Sequence, residues 1–168
     1  MLTVSLTPDV LWSGPVLQEW TDYNGHLHDS NYLLIVSLAG DALLDKIGLD
    51  ATGREVTGHS MFTMECHVSY LSELKAGDEA EVRWQLLGAD RKRLHLYFSL
   101  HKQGDERPAA VAEQMWLNVD MAGPKSAPFD PTIQPVIDTY VAAHAKQSWP
   151  KYAGRSIALP ADHQIWRE

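Results

Sequence analysis

From residue 58 to 120 the chain alternates apolar and polar side chains with a period of two, which only extended strands can bury on one face. In "MFTMECHVSYL" Phe62, Met64, Cys66, Val68 and Tyr70 fall on one face, and Thr63, Glu65, His67 and Ser69 on the other. "EAEVRWQLLG" sets Ala80, Val82, Trp84 and Leu86 on one face, and "RLHLYFSLH" does the same with Leu94, Leu96, Phe98 and Leu100. "AAVAEQMWLNVD" divides Ala109, Val111, Glu113, Met115, Leu117 and Val119 from Ala110, Ala112, Gln114, Trp116 and Asn118. The connections "KAGD", "GADRK" and "QGDER" are short and turn-rich, so the four strands are expected as an antiparallel meander.

A meander with one apolar face needs something to cover it. The candidate lies upstream, where Tyr32, Val36, Ala39, Leu43 and Ile47 recur at helical spacing and Leu33, Leu34 and Leu44 widen the stripe. A helix over roughly 30–47 follows, with Asp29 or Ser30 as N-cap and Gly48 as its end. Gly40 in its interior costs about 1 kcal/mol against Ala, and reads as a point of close approach to the sheet. A short strand within 13–20 precedes it. After the Pro/Gly-rich "AGPKSAPFDP", Ile133, Val136, Ile137, Tyr140 and Val141 mark a second amphipathic helix, with Asp130 as its cap before Pro131. The fold class is therefore α+β: a curled, five-stranded antiparallel sheet around one long helix, with an extra C-terminal helix. Residues 1–122 are expected to form that domain, with 123–168 as linker, helix and tail packing on it.

At 168 residues and 45% hydrophobic content the chain suffices for one sizeable core. A formal net charge of -8 argues against nucleic acid or an anionic membrane surface as partner, since both need a basic stripe. No stretch approaches a membrane span, and "MLTVSLTPDVLW" lacks the pattern of a secretory leader. With a single cysteine, Cys66, the chain reads as cytoplasmic.

The densest polar chemistry, "EWTDYNGHLHDSNY", abuts the apolar helix, with Asp22, Asn24 and His26 spaced D-x-N-x-H. On spacing alone the simpler reading is an Asx-type turn, in which Asp22 and Asn24 cap their own backbone and Gly25 takes positive φ. The motif and the layout around it resemble the hotdog-fold thioesterases of the 4-hydroxybenzoyl-CoA thioesterase type. More narrowly, "EWTDYNGH", "AGDALLDKIGLDA", "KAGDEAEVRWQLLGADRKRLHL" and "AEQMWLNVD" resemble the betainyl-CoA thioesterases of bacterial carnitine catabolism, which also occur fused behind carnitine dehydrogenase. The resemblance covers roughly 12–122. It departs at "HLHDSNY", where Leu27 and His28 stand in place of Met and Asn.

The resemblance implies hydrolysis of an acyl-CoA thioester; no cofactor and no metal are expected. Asp22 is the candidate general base or nucleophile, Asn24 would orient water or thioester, and His26 would bond Asp22 or protonate the leaving thiolate. Backbone N–H groups near 28–31, at the positive pole of the helix, are the expected oxyanion donors. Tyr23, Gly25, Tyr32, Glu65 and Trp116 are candidate substrate contacts. Aromatic faces would suit a trimethylammonium acyl group, and Trp84 and Tyr97 join Tyr23, Tyr32 and Trp116 as candidates for that. Arg91, Lys92 and Arg93, the one basic cluster of an acidic chain, are the candidate CoA-phosphate contacts. The H-x-H pair His26 and His28 invites a metal reading, but no second pair completes a site, and the bland reading leaves His28 facing solvent. A curled sheet leaves an edge to be paired, so a homodimer or dimer of dimers is expected. The alternatives are a thioesterase for another short or aromatic acyl-CoA, and a non-catalytic acyl-CoA-binding module.

Overall fold

The computed structural model describes residues 9–159. Its elements are β1 (Val10–Pro15), a 3-10 turn (Gln18–Trp20), α1 (Asp29–Lys46), α2 (Ala51–Thr57), β2 (His59–Tyr70), β3 (Glu79–Ala89), β4 (Arg93–Lys102), β5 (Ala110–Asp120), β6 (Lys125–Ser126) and α3 (Gln134–His144). The strands make one antiparallel sheet in the order β1-β3-β4-β5-β2, with β6 beside the end of β5. The concave face carries Ala80, Val82, Trp84 and Leu86 of β3 and Leu94, Leu96, Phe98 and Leu100 of β4, all buried as the alternation requires. Against it lie Tyr32, Ile35, Val36, Ala39 and Leu43 of α1, also buried. Trp116 of β5 lies against Gly40, where an added Cβ would meet two atoms of the indole at 3.2 Å. The glycine lets helix and sheet approach, as its position in the sequence suggested.

Several details differ from the sequence reading. The meander holds only for β3, β4 and β5; β2 pairs with β5 and not with the strand that follows it. Residues Leu71–Asp78 cross from one edge of the sheet toward the other, so the "KAGD" turn does not close a hairpin. A bulge between Thr63 and Glu65 breaks the period of β2. Phe62 therefore pairs with Leu117 on the outer face, beside Glu65 opposite Met115, whereas Cys66, Val68 and Tyr70 share the inner face with Gln114, Ala112 and Ala110. The first strand occupies Val10–Pro15, and the stretch expected as strand to residue 20 instead turns over Gln18–Trp20. α1 begins at Asp29 with His28 at the N-cap position, neither Asp29 nor Ser30. α2, seven residues without an apolar stripe, had no periodic signal.

The C-terminal helix begins at Gln134 and not at Pro131. Asp130 bonds the Thr132 N–H and hydroxyl at 2.8 and 2.6 Å, so it caps the turn leading into the helix. α3 packs on β3, where Tyr140 and His144 meet Trp84 edge-on with centroids 5.1 and 4.7 Å away. β1 pairs with β3 only as far as Arg83, and beyond that point buried His144 accepts the Leu86 N–H at 2.8 Å through Nδ1. Burial pushes the His144 pKa down, keeping the ring neutral and able to accept. Among the described residues no helix is long and apolar enough to cross a membrane. The tail reading for 160–168 and the leader reading for 1–8 lie outside the described residues.

Candidate active site

The D-x-N-x-H segment forms a tight loop closed by the bridge between Thr21 and Leu27. Asp22 N–H donates to the His26 carbonyl at 2.8 Å, Gly25 N–H returns to the Asp22 carbonyl at 3.0 Å, and Gly25 holds φ at 76°. A side chain at that φ is strained, which is the reason for glycine. The Asp22 Oδ1 accepts the N–H groups of Asn24 at 2.8 Å and His26 at 3.1 Å. Those bonds, the His26 one foremost, hold the carboxyl below its usual range, so Asp22 is ionised at neutral pH. The Asx turn is therefore present, and it uses one oxygen of the carboxylate. Oδ2 has no hydrogen-bond partner among the described residues.

A second segment braces the loop. Leu27 N–H donates to the Leu74 carbonyl at 2.7 Å, and His26 forms a bridge with Lys75. The Tyr32 hydroxyl donates to the Ser72 carbonyl at 3.1 Å and accepts the Leu74 N–H at 3.2 Å. The His26 ring does not reach Asp22; its Nε2 lies 3.2 Å from Oε2 of Glu73, while its backbone N–H makes the Asp22 contact. His28 turns to Asp29 and Ser30, with Nδ1 at 2.6 Å from Asp29 Oδ1. The two imidazoles thus have different partners, and among the described residues no three metal-ligating side chains converge.

The expected oxyanion donors are largely engaged. His28 N–H donates to the Trp20 carbonyl at 2.9 Å, Ser30 N–H to Asp29 Oδ1 at 2.7 Å, and Asn31 N–H to the His28 carbonyl at 2.9 Å. Asn31 is further tied down through Nδ2 to the Trp20 carbonyl at 2.8 Å. The loop that carries Asp22 therefore also satisfies the start of α1.

The remaining candidates fall into three places. Tyr23, Asn24 and Gly25 lie with Asp22 in the loop, Tyr23 being 97% exposed. Tyr32 and Trp116 are in the core, and the Trp116 Nε1 donates to Gln114 Oε1 at 2.7 Å. Trp84 and Tyr97 are also buried, with burial pushing the Tyr97 phenol up to about 12. Glu65 faces the outer side of the sheet, in a cavity of ≈ 570 Å³ with His67, His95, Glu113 and Arg155. Arg91, Lys92 and Arg93 sit at the β3–β4 connection. Arg93 pairs with Asp90 at 2.6 Å, Lys92 Nζ reaches Ser126 Oγ at 3.2 Å, and Arg91 is exposed. This connection is level with Leu117 of β5, whereas Tyr70, beside the start of α1, is level with Ala110. Seven residues of strand, about 24 Å, separate those levels.

Tyr70 and Glu73 carried no motif. Tyr70 ends β2, its hydroxyl donates to the Asp29 carbonyl at 3.1 Å, and its ring meets Tyr32 edge-on at 5.3 Å. Their place beside the loop follows from the pairing of Leu27 with Leu74, a contact across 47 positions that no local pattern encodes.

A family model described as the thioesterase-like superfamily matches residues 16–137. The chain is 49% identical over 146 residues to a betainyl-CoA thioesterase of Pseudomonas aeruginosa, covering 87% of this chain and 92% of that one. It is 38% identical over 138 residues to an L-carnitine dehydrogenase/betainyl-CoA thioesterase of Rhizobium meliloti, covering 82% of this chain and 28% of that longer protein. Among solved structures, a Staphylococcus aureus protein in complex with CoA superposes with a TM-score of 0.84 at 30% identity, covering 94% of this chain and all of that one. The curled sheet and its enclosed helix match the hotdog fold of these neighbours.

Proposed function

The chain belongs to the thioesterase-like superfamily, and from that premise we propose that it hydrolyses betainyl-CoA to glycine betaine and CoA. The observation that carries the catalytic reading is the Asp22 carboxylate, ionised and pinned through Oδ1 with Oδ2 free to act. The substrate is argued from the 49% identity to a protein of that name.

In this reading Asp22 acts as a general base. The two N–H bonds on Oδ1 fix the carboxylate and leave Oδ2 the oxygen that can accept a proton from an attacking water. Oδ2 takes a proton from water as the water oxygen bonds the thioester carbon. The tetrahedral intermediate then expels CoA thiolate, and that sulfur takes the proton from Asp22. Asn24 lies beside the loop to orient water or thioester, and His26 holds Glu73 and supplies the second N–H on Asp22.

The enzyme works as a homodimer in this reading. The outer edge of β2 has no strand partner among the described residues, and Phe62, Met64 and Tyr70 are exposed along that strand. Two-fold antiparallel pairing there sets the Tyr70 end of one β2 beside the Phe62 end of its partner. That arrangement carries the partner's 91–93 cluster toward the loop that its own chain holds some 24 Å away. Arg91, Lys92 and Arg93 then meet the CoA phosphates across the interface. A cytoplasmic location accords with a CoA substrate.

Release of free thiol from betainyl-CoA, benzoyl-CoA and acetyl-CoA tests the assignment. Hydrolysis with betainyl-CoA preferred supports it; preference for benzoyl-CoA replaces the substrate; a protein that binds CoA thioesters without splitting them is a binding module.

A further inference from the structure

Two side chains outside the D-x-N-x-H motif flank the Asp22 loop, and we infer that they select the acyl group: the Tyr70 ring and the Glu73 carboxylate receive a quaternary ammonium carried next to the thioester carbonyl. The inference rests on the thioesterase reading and names what makes the site prefer a cationic acyl group. Tyr32 is buried and packs edge-to-face with the ring of Tyr70, which is itself 52% exposed. Glu73 is 68% exposed and one residue removed from the catalytic carboxylate, since His26 contacts Glu73 through its ring and Asp22 through its backbone. Glu73 stands between Ser72 and Leu74, whose backbone groups both bond the Tyr32 hydroxyl, so the segment that carries the carboxylate is held at the tyrosine pair. Leu74, bonded on both sides, keeps the segment carrying Glu73 in register with the loop.

The electrostatics favour a cation for two reasons. An aromatic face attracts an ammonium that cannot itself donate hydrogen bonds, and a carboxylate completes the neutralisation. The second reason is catalytic. The loop and its flanks carry the carboxylates Asp22, Asp29 and Glu73, whose charge opposes an oxyanion formed there, and the N–H groups of His28, Ser30 and Asn31 already have partners. A quaternary nitrogen one methylene from the carbonyl reverses the sign of the field at the oxyanion. The substrate then adds its own positive charge to what the largely engaged start of α1 supplies.

The test compares betainyl-CoA with 3,3-dimethylbutyryl-CoA, in which a neutral carbon replaces the nitrogen and the shape is kept. The wild type is expected to favour the cation in kcat/KM by about thirtyfold, the scale of a desolvated cation–π contact. Glu73→Gln and Tyr70→Leu each bring that ratio down by about tenfold, while Tyr70→Phe, which keeps the ring, retains it. A ratio near one in the wild type, or an unchanged ratio in both Glu73→Gln and Tyr70→Leu, overturns the inference and leaves the thioesterase reading standing. Failure of the wild type to split either compound overturns the thioesterase reading, and this inference falls with it. Glu73→Gln replaces an exposed side chain and keeps the outcome readable should Tyr70→Leu fail to fold.

Discussion

Asp22 serves its own loop and the proposed chemistry with different oxygens. Asp22→Asn keeps an Oδ1 acceptor for the Asn24 and His26 N–H groups while removing the charge at the second position. It is expected to leave the circular dichroism spectrum unchanged and to lower kcat by roughly 10² to 10⁴, the usual contribution of a positioned base. Because the same two N–H bonds depress its pKa, Asp22 stays ionised below the ordinary value of 3.8. A kcat/KM profile should show no carboxylate limb between about pH 4.5 and 8. The spacing D-x-N-x-H displayed the candidate residues but not this division of labour, since turn formation and catalysis ask for the same side chains. Nor did it show that the His26 ring turns to Glu73, a residue 47 positions away.

At the scale of elements, packing of α1 on β5 hinges on one missing side chain. Gly40→Leu drives a branched chain into the Trp116 indole and is expected to destabilise the fold by about 1–3 kcal/mol, read from urea unfolding. The contact between α3 and β3 carries a pH signature. Neutral His144 accepts the Leu86 N–H, and buried His101 bonds Ser99 and Asp105; burial depresses both pKa values. The unfolded chain therefore binds protons that the folded one refuses as pH falls below 6.5. Stability is whole above that value and declines on acidification by up to about 1.4 kcal/mol per pH unit for each ring, until the folded values are passed. Urea midpoints at pH 7.5 and 5.5 measure this, and His144→Gln should flatten the slope. Alternation revealed β3, β4 and β5 with their faces because one face of each is buried. It failed on β2, where the bulge at Thr63 moves Phe62 to the outer side, and on the choice of neighbour, since β2 and β5 pair across the whole of β3 and β4. Short-range turn chemistry carries no information about that pairing.

For the whole molecule, assembly and activity are expected to fall together. Sedimentation should give twice the chain mass of 18.8 kDa. Phe62→Glu with Met64→Glu places like charges along the exposed strand of each copy and should raise the dimer dissociation constant by at least about a hundredfold. Specific activity of that variant then drops on dilution, whereas the wild type holds. The enclosed helix and curled sheet were legible as a whole because one long apolar stripe needed a partner surface and the alternating strands supplied it.

The two borders of the sheet differ in what they offer to another strand. On one side β1 is six residues long, has a register shift between Val10 and Trp12, and ends in Pro15, while His144 plugs the amide of Leu86 beyond it. On the other, twelve residues of β2 stand ready to be matched. In the proposed dimer the two β2 rims cover each other and leave only the β1 borders outward, so growth stops at two copies and the chain is guarded against running on into fibres.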